Sequence, residues 1–496
     1  MINKTIEELL YYAEKNLYLN KDNEIWYRNM LMHELDVKEP YEGEIDYDLI
    51  DSLSTPEELI DHLKEDKASI TEDEINNIMS LLSPLPSEII EHYNKLYLKS
   101  LDEASSYFYD ILIKNNYIKL EALNNNIVWD YEGDSSKLRI EINLYGDRTK
   151  NEVSESYPKC DLCLSNVGFF GSEGKKNRSN LRVIPIDVID GGWFIRYSKY
   201  PYFKEKGNLV NNLHTPLVIN TDTFYKMLGF ASLYPSYFIG SNADIKGISG
   251  DIPEHEHFEI GRVDMPLFSA RDRYVISSPD YEKSKISYLD WYSSTFKIVS
   301  KNKNEIAQIA TRILNEWRAY NNDSIDIINN TNGEPHQSIN PIAIKDNDNY
   351  ILFIILRNNR IDAKHKDGIF SIPDEYSNIK SSFNLVDSMG NIILNKSLEH
   401  ELELIEGILS ENIFPVQEII EDNPCLYKHT HFINVLLIKY GRGNTIESAR
   451  ERIRHEIGLE CETMIKSTQV FKDNMEGQLA LMDFINNLGF EVIKND

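Results

Sequence analysis

Apolar residues recur at helical spacing through the first 125 residues, in IEELLYYAEKNLYL, PEELIDHLKED, TEDEINNIMSLLSPLPSEIIEHYNKLYL and EASSYFYDILIKNNYI, each with an acidic polar face. The pattern predicts a mainly helical N-terminal region, residues 1–125. From Ile127 the period falls towards two. IVWDY, KLRIEINLYG, LRVIPIDVI and WFIRYSKY are separated by Gly, Asn and Asp turns, as antiparallel strands are. Helical spacing returns at TDTFYKMLGFASL and more strongly from Lys301 to Tyr320. A second strand-rich block, NPIAIKDNDNYILFIILRNNR and NLVDSMGNIIL, precedes the helical stretches ESARERIRHEIG and GQLALMDFINNLG. Sheet and helix thus occur twice in the same order. This predicts an α+β fold of two related halves, 126–270 and 271–496, with antiparallel sheets covered by helices.

The chain of 496 residues is long enough for two or three domains. With 41% hydrophobic and 27% charged residues, its composition is that of a packed globular protein. The balance of 52 Lys+Arg against 80 Asp+Glu gives −28, a field that repels phosphate backbones and anionic lipid. Neither nucleic acid nor a membrane surface is expected as a partner. The longest apolar run, Tyr350 to Leu356, is strand-sized, and the first residues form an amphipathic helix rather than a signal peptide. A cytoplasmic location is expected. Four cysteines, Cys160, Cys163, Cys425 and Cys461, are too few for a disulfide framework and point to a reducing compartment.

Two motifs carry candidate chemistry. Cys160-Asp161-Leu162-Cys163 has the spacing of a zinc-binding turn or a redox pair, and equally of two small half-buried thiols. A zinc site needs two further ligands. In Glu254-His255-Glu256-His257-Phe258-Glu259, strand alternation places two imidazoles side by side. One ring can ligate or orient while the other attacks phosphorus. A second such pair, His429-Thr430-His431, has the same spacing, and spacing alone does not choose between them.

The surrounding residues do choose. Ser241-Asn242-Ala243-Asp244, with His257 fifteen residues after Asn242, resembles without an alignment gap the SNADLPIVGGSxLSHDHFQGG signature of class II galactose-1-phosphate uridylyltransferases. KCDLCLSNVGFFG, NRSNLRVIPI, the HTP at His214, EPHQSINPIA, ILRNNR and VFKDNMEGQLALMDFI extend the resemblance over nearly the whole chain. It implies two histidine-triad-like halves and a ping-pong exchange of UMP between UDP-glucose and galactose 1-phosphate through a uridylyl-histidine. His257 is then the nucleophile, with His255 and Glu259 beside it as catalytic candidates. Asn242 and Gly250 approach the nucleotide phosphates. Arg178, Asn180 and Arg182 match the family's ARxNxR stretch, Arg262 follows the histidine motif, and His336 with Arg357 to Arg360 comes from the other half as a candidate for the sugar phosphate. The implied partners are UDP-glucose and a hexose 1-phosphate, with a homodimer as a possible assembly.

The departures from the family are equally specific. Glu259 replaces a glutamine whose amide donates to a phosphoryl oxygen, and Asp251, Glu254 and Ser249 also differ. Two like charges 4 Å apart cost about 4 kcal/mol at an effective dielectric near 20, roughly a thousandfold in rate unless something compensates. Zinc-holding relatives use the cysteine pair, a histidine in an NEHC-type stretch and the first histidine of the pair. Lys206 stands at that stretch's histidine, leaving Cys160, Cys163 and His255 with His214 as a conceivable fourth ligand. A diverged nucleotide-sugar binding protein and a UDP-sugar hydrolase therefore stay open beside the transferase.

Overall fold

A computed structural model describes residues 1–145, 153–188, 191–248, 253–380, 383–411 and 415–495. The first 125 residues form eight helices: α1 (Ile2–Asn16), α2 (Glu24–Glu34), α3 (Tyr47–Ser52), α4 (Glu57–Asp66), α5 (Glu72–Leu82), α6 (Pro86–Tyr97), α7 (Leu101–Lys114) and α8 (Leu120–Asn125). Three of the eight starts carry side-chain caps, from Asp46, Thr71 and Ser100. Thr71 accepts from the Glu74 amide while Glu74 reaches back to the Thr71 N–H, so two donors that α5 would otherwise leave open are satisfied.

The chain continues with β1 (Ile127–Glu132), β2 (Lys137–Ile142), β3 (Ile184–Ile186), β4 (Trp193–Tyr197), β5 (Gly207–Asn211), α9 (Thr221–Leu233), β6 (Phe238–Gly240) and β7 (His257–Gly261). Next come β8 (Arg271–Ser277), β9 (Lys285–Asp290), β10 (Thr295–Ser300), α10 (Lys303–Ala319), β11 (Asn330–Thr331), β12 (Glu334–Pro335), β13 (Gln337–Asp346) and β14 (Asn349–Asn358). The last elements are α11 (Leu385–Ser388), β15 (Asn391–Leu394), α12 (Leu398–Ser410), α13 (Val416–Asp422), α14 (Thr430–Tyr440), α15 (Ile446–Ser467), α16 (Met475–Asn487) and β16 (Glu491–Asn495).

Eleven strands form one antiparallel sheet in the order β16-β8-β9-β10-β14-β13-β6-β7-β5-β4-β3. The order contains the same unit twice. β3, β4 and β5 form a meander, α9 crosses, and β6 and β7 return with β7 beside β5. β8, β9 and β10, α10, then β13 and β14 repeat this, with β14 beside β10. The outer strands β6 and β13 join the units, with Gly240 opposite Ile342. The α+β architecture expected from the pattern, helical at its N-terminus and sheet-based beyond, is the one observed.

Both faces of this sheet are covered. Along β14, Leu352, Ile354 and Leu356 enter a core shared with α9, α10 and α16, while Phe353 and Ile355 enter a second core with α11, β15, α12 and α15. A run apolar at every position is what burial on both faces requires. Three local expectations are corrected. LRVIPIDVI pairs only over Ile184–Ile186, because Asn180 and Arg182 are tied to the N-terminal helices. NLVDSMG is a helical turn, α11, whose first turn is held by the Asn384 backbone amide donating to the Asp387 carboxylate at 2.7 Å. β1 and β2 stand apart from the large sheet, and β2 pairs in parallel with β15. Among the described residues, no helix is long and apolar enough to cross a membrane.

Candidate active site

His257 opens β7, between β5 and β6, with Val210 opposite it on β5. Its Nδ1 lies 2.7 Å from the carbonyl oxygen of His255. A carbonyl only accepts, so Nδ1 carries the proton and the lone pair of the neutral ring resides on Nε2. The second histidine is thus oriented by the backbone of the first. Side-by-side imidazoles were expected, whereas β7 begins only at His257, and the His255 ring turns towards the cysteines. Its Nε2 donates to the Asn211 carbonyl at 2.8 Å, which leaves Nδ1 as its electron-pair donor.

That nitrogen meets a formed ligand set. The donor atoms of Cys160, Cys163, His214 and His255 all lie within 4.8 Å of one another. The two sulfurs are 3.5 Å apart, His255 Nδ1 is 3.3 and 3.8 Å from them, and His214 Nδ1 is 3.6 and 3.2 Å from them. Zinc bonds of about 2.3 Å to sulfur and about 2.0 Å to nitrogen, spread tetrahedrally, separate ligand atoms by roughly 3.3 to 3.8 Å. The donor set and its five edges that involve sulfur therefore fit a tetrahedral metal ion. Asn166 shapes the turn by donating to the carbonyls of Cys160 (2.8 Å) and Cys163 (2.9 Å). The Cys160 thiol donates to the Cys163 sulfur, which pulls the Cys163 thiol far below its usual range and drives that of Cys160 up. His214 completes the set where Lys206 cannot, and the HTP match was its sequence signal.

Glu259 lies two residues after His257 on the same face of β7. Its Oε1 accepts from Asn242 Nδ2 at 3.2 Å, and its Oε2 is 3.7 Å from Lys206 Nζ. The ammonium also sits 4.7 Å from the centre of the Tyr202 ring. Asn242 Oδ1 accepts from the Leu385 amide at 3.1 Å, which ties the site to the second core. The two departures from the family, at positions 206 and 259, are therefore partners in space. Composition and spacing gave no sign of this, because fifty-two residues lie between them.

The remaining candidates fall elsewhere. Gly250, with Ser249 and Asp251, lies outside the described residues. Arg178 stands beside the cysteine turn, 3.6 Å from Asp161. Asn180 donates to the Asn115 carbonyl at 3.1 Å, and Arg182 donates to the carbonyls of Ser179, Leu181, Pro84 and Ser80. Burial lowers Arg182 to about 10. Both residues fasten the sheet to the helical region. Arg262 follows β7 and points to α7, 3.0 Å from Asp102. His336 bonds Asn359 at 2.8 Å, and Asn359 holds the Lys246 carbonyl at 2.7 Å, so the second half secures the loop that leads from Asn242 towards His257. Arg357 is buried against Ser388 and the Phe383 ring, beside the Lys380–Asp387 ion pair at 2.9 Å.

Residues 43–149 match the family model described as galactose-1-phosphate uridyl transferase, N-terminal domain. A galactose-1-phosphate uridylyltransferase of Clostridium acetobutylicum is 34% identical over 98% of this chain and 100% of its own length. Those of Caldanaerobacter subterraneus and Fusobacterium nucleatum are 33% and 31% identical, each over 98% of both chains. Among solved structures, yeast Ap4A phosphorylase in complex with AMP is 12% identical over 72% of this chain and 96% of its own, with a TM-score of 0.37. Matched end to end by such relatives, the chain belongs to the galactose-1-phosphate uridylyltransferase family.

Proposed function

We propose that this protein moves UMP from UDP-glucose to galactose 1-phosphate through a covalent uridylyl-imidazole on His257. The observation that carries the reading is the 2.7 Å bond from His257 Nδ1 to the His255 carbonyl, which commits the proton to one nitrogen and the lone pair to the other. Nε2 attacks the α-phosphorus, the bond from phosphorus to the bridging oxygen breaks, and glucose 1-phosphate leaves with that electron pair. Nδ1 keeps its proton throughout, so the ring becomes a uridylyl-imidazolium whose charge the carbonyl stabilises. A phosphate oxygen of galactose 1-phosphate then attacks the same phosphorus and restores the neutral ring. No general base is needed for the histidine itself.

Cys160, Cys163, His214 and His255 are the residues that would hold zinc. A bound zinc ion would neutralise two thiolates and fix the His255 ring. The protein's own contribution is then positional: His255 held at Nδ1 and at Nε2 presents its carbonyl to His257. Asn242 and Gly250 are proposed at the nucleotide phosphates, Glu259 beside the reacting phosphorus, and Arg178, Arg262 and His336 as more distant supports. We further propose a division into a helical region, 1–125, and two transferase halves, 126–270 and 271–496.

The test is incubation with UDP-glucose labelled in the α-phosphate. Acid-labile, base-stable label on His257 that galactose 1-phosphate discharges is the expected result. Discharge by water alone turns the reading into a hydrolase, and absence of label turns it into a binding protein.

A further inference from the structure

A carboxylate two residues beyond the nucleophile, on the nucleophile's own face, is unfavourable for chemistry on a phosphodiester unless its charge is met. A cation that faces it comes from the turn before the neighbouring strand. Lys206 directly precedes β5, whose Asn208 is opposite Glu259 and whose Val210 is opposite His257. It therefore emerges on the side of Glu259 away from His257 and reaches back. Both side chains are largely withdrawn from water, at 12% exposure for Lys206 and 9% for Glu259, so their attraction is screened less than that of a surface pair.

The geometry also gives the pair a direction. Asn242 donates to Oε1 and so fixes the carboxylate, leaving Oε2 towards the ammonium. At 3.7 Å, Lys206 and Glu259 are at ion-pair distance but beyond a normal hydrogen bond, so the ammonium retains N–H donors for another acceptor. The Tyr202 ring supports it from another side without consuming a donor.

On the uridylyl-transfer reading, we infer that Lys206 and Glu259 act as one unit that replaces a neutral amide donor: Glu259 is a positioning residue anchored by Asn242, and Lys206 is the cation it presents to the phosphoryl group. The unit adds no net charge. It moves the donor outward by one side chain, from the strand of the nucleophile to the turn that precedes the neighbouring one. Each member is therefore harmful without the other, which no purely structural salt bridge demands of catalysis.

A double-mutant cycle read by the single-turnover rate of label transfer to His257 tests this. Lys206→Met removes the cation beside the carboxylate and lowers the rate roughly 100-fold or more. Glu259→Gln, which loses the anchor but restores an amide, lowers it about tenfold or less. The double variant Lys206→Met/Glu259→Gln recovers at least about tenfold over Lys206→Met alone. Lys206→Arg keeps the charge, stays within about tenfold of the unsubstituted protein, and decides the matter where the Met variant does not fold. UMP affinity by calorimetry should follow the same order. A double variant as slow as Lys206→Met, or Lys206→Met with unchanged rate and UMP affinity, overturns the inference. Failure of the unsubstituted protein to take label sinks the transferase reading instead, while the UMP titrations still decide on the pair.

Discussion

At His255-Glu256-His257 the backbone enters a strand between two others, and the first residue's carbonyl receives the second residue's ring. At His429-Thr430-His431 the same spacing passes from a 3-10 turn into α14. There His429 is fully buried, its Nε2 2.8 Å from Glu401 and its Nδ1 3.2 Å from the Asn378 amide, while His431 faces solvent. Two residues apart on a helix are neighbours on no common face, so these rings cannot act on one another. What separates the two pairs is the backbone period beneath each, together with the partners of the first histidine: cysteines in one case, a carboxylate in the other.

The largest expected effect breaks the first pair. His257→Ala should reduce label transfer to background, a loss on the order of 10⁶-fold as for other removed nucleophiles. Mass spectrometry of the labelled protein should place the adduct on a peptide containing residue 257 in the unsubstituted chain. An adduct on a peptide containing His431 would reverse the assignment of the two pairs.

Much of this difference could be read in the sequence, but not from the motifs alone. The helical N-terminal region, α9, α10 and the repeated order of sheet and helix follow from periodicity, because amphipathic elements announce the face they bury. The SNAD stretch before His257 singled out the first pair. The ligand set was only half legible: a CxxC turn states its own spacing, but nothing in the chain order says that His214, on the loop after β5, folds back onto it. The Lys206–Glu259 pair was visible only as two unexplained departures, since strand register decides which side chains meet. α11 was misread because the bond from the Asn384 backbone amide to the Asp387 carboxylate outweighs the strand-like run that follows.

The next effect separates the partners of the two leading histidines. Cys163→Ser should remove the metal from the His255 cluster, lowering zinc from about one per chain to a small fraction by atomic emission. If free zinc stands near 1,000 times the dissociation constant, losing it costs about 4 kcal/mol of stability. His429→Ala should leave metal content untouched. Equal zinc content in unsubstituted and Cys163→Ser protein would mean the cysteine turn holds no ion.

At His429 the consequence is confined to stability. Burial lowers the ring's pKa, with the Glu401 hydrogen bond opposing, so the folded state favours the neutral ring. The unfolded chain then binds more protons just below its ordinary value near 6.5, and stability falls as pH drops through that window. Glu401 acts lower. Burial raises it, but hydrogen bonds from Lys428 and His429 outweigh this and hold it below its ordinary value of 4.5, so its contribution is lost only as pH falls beneath that. His429→Gln should flatten the slope below about pH 6.5 and cost about 1 to 3 kcal/mol at pH 7. Urea denaturation across that range reads both, and an unchanged slope would show that His429 titrates alike in the two states.

The smallest effect is the sharpest control on the comparison. His431 occupies the position in its motif that His257 occupies in the other, so any account in which spacing alone makes the chemistry assigns it a role. Its side chain is exposed on the first turn of α14. His431→Ala should change stability by less than about 0.5 kcal/mol, since alanine suits a helix and no buried contact is lost. Label transfer should stay within about twofold of the unsubstituted rate, because a nucleophile needs its lone pair held at the reacting atom and no hydrogen bond among the described residues orients this ring. A tenfold loss would mean that the face of α14 reaches a substrate.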